Sequence, residues 1–230
     1  MAPGNPDNDD ATARITRHGV IADLAGMGIT AVPERLAGLT NLMRLDLSRN
    51  RLTDLPGWLG DLQSLTYLKL GGNELTSVPG SLARLERLRS LDLSRNNLTA
   101  LPGWLRQAGS LTSLSAAGNQ LSDQPGAITL PTGLTHLDLA GNRLRVVPEQ
   151  VRDLAALTYL DLEDNQLTQL PEWIGELTAL KELWLRGNML AGLPASVAAL
   201  RALEFLTSRA TGSKKSPSLS ADFGDCESCP

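Results

Sequence analysis

Leucines alternate with polar residues in short stretches that recur every 23 residues along the chain. The stretch from Leu42 to Pro56 reads Leu-x-x-Leu-x-Leu-x-x-Asn-x-Leu-x-x-Leu-Pro, and further copies follow it without insertion or deletion. In this stretch Leu45 and Leu47 alternate with polar positions. Because successive side chains of a strand point to opposite faces, the alternation predicts a short strand with one buried face.

Stacking of the copies would complete the core. One such strand cannot bury its leucines alone, whereas stacked neighbours can, so the fixed period predicts a solenoid. Its strands would lie parallel and about 4.8 Å apart in one curved sheet. The second half of each copy would return along the outer side, where Pro56 suits the first turn of a short helix. Leu52, Leu55, Leu59 and Leu62 supply the buried face of that return.

The repeat resembles the leucine-rich repeat family, in the 23-residue class typified by the plant intracellular Ras-group-related proteins. Complete copies begin at Leu42, Leu65, Leu88, Leu111, Leu134, Leu157 and Leu180. A degenerate copy precedes them and a broken copy follows at Leu203. The resemblance implies an α/β horseshoe of about eight repeats, with parallel strands on the concave face and short helical or irregular returns on the convex face.

The two ends of the chain lie outside the repeat. We expect a leucine-rich repeat domain over residues 18–206, a disordered segment at residues 1–17 and a disordered tail at residues 207–230, because the tail is small, polar and without periodicity. The tail contains both cysteines, Cys226 and Cys229. Without the context of a redox motif or a zinc site, they are read as free thiols or as an intermolecular half-site.

One asparagine per complete copy follows the strand at a point where the chain must turn inward. Such a turn leaves backbone groups without ladder partners. Asparagine carries both a donor and an acceptor, so one side chain can satisfy both kinds. The family places this asparagine in a buried ladder, and we predict that structural role for Asn50, Asn73, Asn96, Asn119, Asn142, Asn165 and Asn188.

Net charge, hydropathy and cysteine content argue against nucleic-acid binding, a membrane span and secretion. The net charge of −4 provides no basic field for nucleic acid. The chain has no apolar run long enough for a membrane span, and the first residues lack the apolar region of a secretory signal. Extracellular members of the family usually carry cysteine-rich caps, which are missing here. These features favour the cytoplasm.

No motif nominates a catalytic, cofactor-binding or metal-binding residue. Gly26-Met-Gly28 imitates a dinucleotide fingerprint, but the repeat explains its glycines as the turn after a strand. The column of Asp46, Asp92, Asp138 and Asp161 is read as family consensus, with a partner-facing acidic surface, a metal site or acid–base catalysis as alternatives. We therefore expect a protein that is not an enzyme and uses no cofactor.

The concave side chains are the candidates for binding. Tyr159, Trp184 and Phe205 come from three consecutive copies and are therefore expected to cluster. Exposed aromatic residues are enriched at interface hot spots, so this cluster is a candidate binding site. An alternative is that Trp184 and Phe205 only shield the end of the solenoid. The predicted partner-binding residues are Tyr67, Lys69, His136, Asp138, Tyr159, Asp161, Trp184, Arg186 and Phe205.

The resemblance implies a non-catalytic protein–protein recognition module or scaffold in intracellular signalling, which binds another protein or peptide through the concave face. The alternative is the recognition arm of a larger enzyme, such as a GTPase, a kinase or a ubiquitin ligase, whose catalytic part is absent from this chain. The last copy leaves Leu200, Leu203 and Leu206 without obvious cover. We therefore also expect self-association through the C-terminal end.

Overall fold

Nine parallel strands form one sheet in a computed structural model that describes residues 20–208. Each strand has three residues, and the strands follow one another across the sheet in chain order. This order needs no crossing connections and gives the predicted horseshoe. The strands are β1 (Ile21–Asp23), β2 (Arg44–Asp46), β3 (Tyr67–Lys69), β4 (Ser90–Asp92), β5 (Ser113–Ser115), β6 (His136–Asp138), β7 (Tyr159–Asp161), β8 (Glu182–Trp184) and β9 (Phe205–Thr207).

The repeat sets the register of the sheet. Each strand residue pairs with the residue 23 positions later, as in Arg44 with Tyr67 and Leu45 with Leu68. The middle residue of every strand from β1 to β8 is at most 1% exposed, while its two neighbours point outward. One face of the sheet therefore belongs to a continuous leucine core, and the other face is the concave surface.

The returns between strands run mostly through single 3₁₀ helices of five residues, each directly after a proline. Pro56 has φ −68° and ψ 144°, an extended conformation, so it precedes the helix rather than occupying its first turn as predicted. Leu59 then packs into the core. The helices are Glu34–Gly38, Gly57–Asp61, Gly80–Arg84, Gly103–Gln107, Glu149–Asp153, Glu172–Glu176 and Ala195–Ala199.

The return between β5 and β6 has no helix. Gln124 occupies the position at which other copies place a buried leucine or valine, and it is exposed. Ala127 and Ile128 are buried instead. The backbone N–H of Leu101 donates to the carbonyl of Ala127 at 2.7 Å, which ties this return to the preceding one.

All seven repeat asparagines are buried and share the same three hydrogen bonds. In the middle of the solenoid, Asn119 Nδ2 donates to the carbonyls of Leu93 and Ala116, both at 3.0 Å. Its Oδ1 accepts the N–H of Leu98 at 3.0 Å. Each asparagine thus connects its own turn to the preceding repeat, and the column runs along the whole series of complete copies.

The C-terminal end of the described region differs from the expectation in two respects. Thr207, predicted as the first residue of the tail, is the last residue of β9. Leu200 is only 5% exposed, so the expectation that it lacks cover is wrong, while Leu203 and Leu206 are half-buried. The predicted N-terminal segment and the rest of the predicted tail, including both cysteines, lie outside the described residues.

Candidate functional site

Two columns of side chains run across the concave surface, one from the first residue of each strand and one from the third. The first column consists of Ile21, Arg44, Tyr67, Ser90, Ser113, His136, Tyr159, Glu182 and Phe205. The second consists of Asp23, Asp46, Lys69, Asp92, Ser115, Asp138, Asp161, Trp184 and Thr207. The two serines at β5 separate an N-terminal half from a C-terminal half. We call the outward side chains of the last four strands the β6–β9 surface.

The N-terminal half contains its own cations. The guanidinium of Arg44 lies over the ring of Tyr67, with Cζ 4.5 Å from the ring centre. The ammonium of Lys69 lies 3.5 Å from a carboxylate oxygen of Asp46. Lys69 also stands beside Asp92 in the register. The ring of Tyr67 and the carboxylate of Asp46 therefore have positive partners from neighbouring strands.

The β6–β9 surface has aromatic rings held at fixed orientations. The rings of His136 and Tyr159 are stacked, with centroids 5.9 Å apart and planes at 18°. The Tyr159 hydroxyl donates to Asp161 Oδ2 at 3.3 Å. The Trp184 indole N–H donates to Glu182 Oε2 at 3.2 Å. Tyr159 and Trp184 are half-buried and so offer oriented apolar area to a partner, while Phe205 is 56% exposed.

The register places the three aromatics of the predicted cluster on adjacent strands but in two columns. Tyr159 and Phe205 stand in the first column on either side of Glu182. Trp184 stands in the second column, between Asp161 and Thr207. Each of the three rings therefore has at least one acidic neighbour in its own column.

The predicted site residues fall into separate sets. Tyr67 and Lys69 lie on β3, three strands away from β6, and belong to the N-terminal half. His136, Asp138, Tyr159, Asp161, Trp184 and Phe205 lie on the β6–β9 surface. Arg186 follows β8 and is exposed, and no ion pair forms at its side chain within residues 20–208.

The carboxylate of Asp161 is in an unfavourable place for its charge. Burial raises the pKa of Asp161 to about 6, and the neighbouring charges of Asp138 and Glu163 add to the rise, while an N–H donated by Glu163 opposes it. Burial also raises the pKa of Tyr159, with the charge of Asp161 as the next cause. Burial and the neighbouring carboxylates therefore disfavour the charged form of Asp161.

The concave aspartates also have a structural task. One carboxylate oxygen of each accepts the backbone N–H two residues later, as in Asp161 with Glu163 at 2.9 Å and Asp138 with Ala140 at 3.1 Å. The other oxygen of Asp138 accepts the hydroxyl of Ser115 at 2.8 Å. Within the described part of the chain, no group of three or more His, Cys, Asp or Glu side chains could hold a metal ion.

Sequence reasoning missed several supporting contacts. Thr207 donates its hydroxyl to Glu163 at 3.0 Å, which joins β9 to the turn after β7. Threonines just before the strands donate to the carbonyl of the residue 23 positions earlier, as Thr158 does to Thr135 at 3.0 Å. The repeated threonines were visible in the sequence, and the period already placed each one beside its partner.

The convex tryptophans pack on the core rather than presenting free rings. Trp58, Trp104 and Trp173 are half-buried against the leucine cluster. The Trp173 indole N–H donates to Glu149 Oε2 at 3.0 Å. The indole N–H groups of Trp58 and Trp104 are buried and have no hydrogen-bond partner among residues 20–208. This arrangement favours a packing role for the three rings.

Comparison with known proteins identifies the family. A family model described as leucine rich repeat matches residues 23–75, 72–121 and 132–190, which together are more than half of the chain. The chain belongs to the leucine-rich repeat family. Leucine-rich repeat domains are generally protein–protein interaction modules, which agrees with a sheet face built from exposed rings and charges. No protein with a curated description matches the sequence.

Solved leucine-rich repeat structures share the fold. A leucine-rich repeat protein of Leptospira interrogans is 31% identical, with a TM-score of 0.72, and the match covers 85% of this chain and 56% of that chain. Internalin C2 of Listeria monocytogenes is 26% identical, with a TM-score of 0.71, and the match covers 82% of this chain and 80% of that chain. This chain therefore spans little more than half the length of the Leptospira protein.

A plant receptor gives a further match. The leucine-rich repeat ectodomain of the receptor kinase GASSHO1/SCHENGEN3 from Arabidopsis thaliana, in complex with CASPARIAN STRIP INTEGRITY FACTOR 2, is 30% identical with a TM-score of 0.59. The match covers 76% of this chain and 25% of that chain. Among residues 20–208 no helix is long and apolar enough to cross a membrane.

Proposed function

We propose that this leucine-rich repeat chain is a non-catalytic recognition module that binds another protein through the β6–β9 surface. The observation that carries the proposal is the placement of Trp184. Its ring is half-buried on the concave face and its indole N–H is held by Glu182, yet the core beneath is filled by Leu183 and Leu185. A fixed aromatic that the core does not need has the character of an interface anchor.

The neighbouring residues support the same surface. His136 on β6 and Tyr159 on β7 form a stacked pair next to β8, and Phe205 is exposed beside Glu182. Rigid aromatic rings surrounded by charged groups provide contact area with little loss of side-chain entropy. The N-terminal half, in contrast, offers Tyr67 with one face already occupied by Arg44.

The finer role remains a prediction: a scaffold in intracellular signalling, located in the cytoplasm, of the plant Ras-group-related class. Self-association through Leu203 and Leu206 also stays a prediction. Fold alone does not set these properties, because one architecture serves many partners.

A second candidate role is the recognition arm of a larger protein with a catalytic part. It is favoured by one comparison, in which this chain matches a quarter of the ectodomain chain of a receptor kinase. The surface argued above would serve as the binding part in either role. A longer reading frame that joins the repeat to a catalytic domain would support this second candidate.

Affinity capture with matched variants tests the proposal. The full chain, Trp184→Ala and Trp58→Ala are immobilised and exposed to lysate of the source organism, and bound proteins are quantified by mass spectrometry. We expect a partner that is retained by the full chain and by Trp58→Ala but lost from Trp184→Ala, with a loss of about 2 kcal/mol or more in binding free energy.

Thermal melting of each variant separates lost binding from lost folding. Trp58 is the matched control because it is also a half-buried tryptophan but lies on the convex side. If the partner survives Trp184→Ala and is lost from a folded Trp58→Ala, recognition uses the convex side and the proposal is wrong.

A further inference from the structure

The two halves of the concave surface repeat the same kinds of side chain but differ in their charge balance. Tyr67 and Tyr159 occupy the first column, four strands apart. In the second column beside them, β3 carries Lys69 whereas β7 carries Asp161. The comparison between these halves shows what the β6–β9 surface lacks.

In the N-terminal half one carboxylate and one aromatic ring have a cation from the chain itself. Lys69 pairs with Asp46 at 3.5 Å and stands next to Asp92 in the register, and Arg44 covers Tyr67. In the C-terminal half Asp138 and Asp161 are direct neighbours across β6 and β7. Within residues 20–208, no lysine or arginine forms an ion pair with either of them.

Further acidic groups surround this pair. Glu182 lies beside Tyr159 in the first column, and Glu163 follows β7. Their hydrogen-bond donors are neutral: the Trp184 indole N–H for Glu182 and the Thr207 hydroxyl for Glu163. Neutral donors fix the carboxylates but leave their negative charge uncompensated, so the charge remains available to a partner.

We propose that the β6–β9 surface takes a basic segment of a partner protein, whose lysine or arginine side chains lie against Trp184 and pair with Asp138 and Asp161. This inference rests on the proposed function and adds the chemistry of the partner. An ammonium or guanidinium group is attracted both to an aromatic face and to a carboxylate. The chain shows each contact separately in its own N-terminal half, where Arg44 covers a tyrosine and Lys69 pairs with an aspartate.

The register also gives the arrangement of the segment. Neighbouring parallel strands lie about 4.8 Å apart, so a chain crossing the strands passes Asp138, Asp161 and Trp184 in succession. A matching segment would place basic side chains near Asp138 and Asp161, and the aliphatic part of a side chain over the indole of Trp184. A lysine or arginine side chain supplies both parts, since its stem is apolar and its end is charged.

Binding of defined peptides to the full chain tests the charge requirement. The probe is a short capped peptide of alternating serine and lysine, with two counterparts in which glutamine or glutamate replaces every lysine. Fluorescence anisotropy gives the affinities. We expect the lysine peptide to bind about tenfold more tightly than the glutamine peptide, with the difference shrinking as salt is added.

Paired substitutions locate the effect. Asp138→Asn/Asp161→Asn removes two charges but keeps a side-chain oxygen for the N–H groups of Ala140 and Glu163. Asp46→Asn/Asp92→Asn is the matched control, because it changes the net charge equally in the same column. We expect the first variant to lose about tenfold in affinity for the lysine peptide and the control to lose about twofold or less.

Several results would overturn the inference. Equal affinity for the lysine and glutamine peptides, tighter binding of the glutamate peptide, or equal losses from the two double variants would each show that these carboxylates do not select a cation. Sedimentation in which only Asp138→Asn/Asp161→Asn changes self-association would assign the surface to a second copy of the chain. If Asp138→Asn/Asp161→Asn melts early, Asp161→Asn alone replaces it, with the same expected direction.

The inference and the proposed function fail in different ways. If Trp184→Ala loses a captured partner but Asp138→Asn/Asp161→Asn still binds it, the proposed function stands. The inferred preference of the surface for a basic segment is then wrong. If both variants still bind the partner, the β6–β9 surface is not the binding site, and the proposed function is wrong as well.

Discussion

At the scale of single residues, the buried asparagines carry the strongest structural requirement. Asn96 is 6% exposed, and its Nδ2 donates to the carbonyls of Leu70 and Leu93, both at 3.0 Å. Its Oδ1 accepts the N–H of Leu75 at 3.0 Å. An apolar side chain of similar size would leave these buried backbone groups without hydrogen-bond partners, because water cannot reach them to replace the lost bonds.

Asn96→Leu should therefore lower the free energy of unfolding by about 1–3 kcal/mol or more. Asn97→Leu is the control, because Asn97 is the next residue and is exposed. Chemical denaturation of both variants measures the difference. Equal denaturation midpoints for the two variants would contradict a supporting role for the ladder.

At single residues, the sequence predicts which positions are buried and which lie side by side, but not the contacts of individual side chains. Burial of Leu45 and Leu47 followed from alternation, and the period alone placed Trp184 beside Asp161 rather than beside Tyr159. The clustering of Tyr159, Trp184 and Phe205 stays a prediction: the register places them on adjacent strands but divides them between the two columns. The hydrogen bond between Trp184 and Glu182 depends on side-chain torsions, which no periodicity determines.

At the scale of elements, the strands and the returns differ in how strictly the sequence determines them. Each strand needs one buried central residue and a fixed register, and the repeat supplies both. The returns accept more variation. Gln124 marks the exception in the sequence, but the path of that return follows from Ala127 and Ile128 filling the core, which only packing decides.

The return between β5 and β6 should be the least protected part of the convex side. Ala127 N–H donates to Gln124 at 3.0 Å there, whereas the next return has successive bonds at Val151, Leu154 and Leu157. Fewer backbone hydrogen bonds allow local opening at lower free energy. We expect faster amide hydrogen exchange over residues 122–133 than over residues 145–156, and equal protection of the two ranges would contradict this expectation.

At the scale of the whole molecule, the repeat produces one continuous core and one uninterrupted concave surface. The core runs from Ala22 in β1 to Leu200 before β9. Each repeat contacts its neighbours, so the surface can vary in charge from copy to copy without changing the fold. This freedom allows self-neutralised charges on β2–β4 and an acidic, aromatic surface on β6–β9.

The four tryptophans allow the central claim, concave recognition on β6–β9, to be tested in one spectrum. Trp184 is on the concave face, whereas Trp58, Trp104 and Trp173 pack against the core on the returns. A ¹H–¹⁵N NMR spectrum of protein that contains ¹⁵N-labelled tryptophan shows one indole N–H resonance for each ring. On titration with the lysine peptide or the captured partner, we predict that the Trp184 resonance shifts while the other three stay in place. Shifts of the three convex resonances with an unchanged Trp184 resonance would contradict the account.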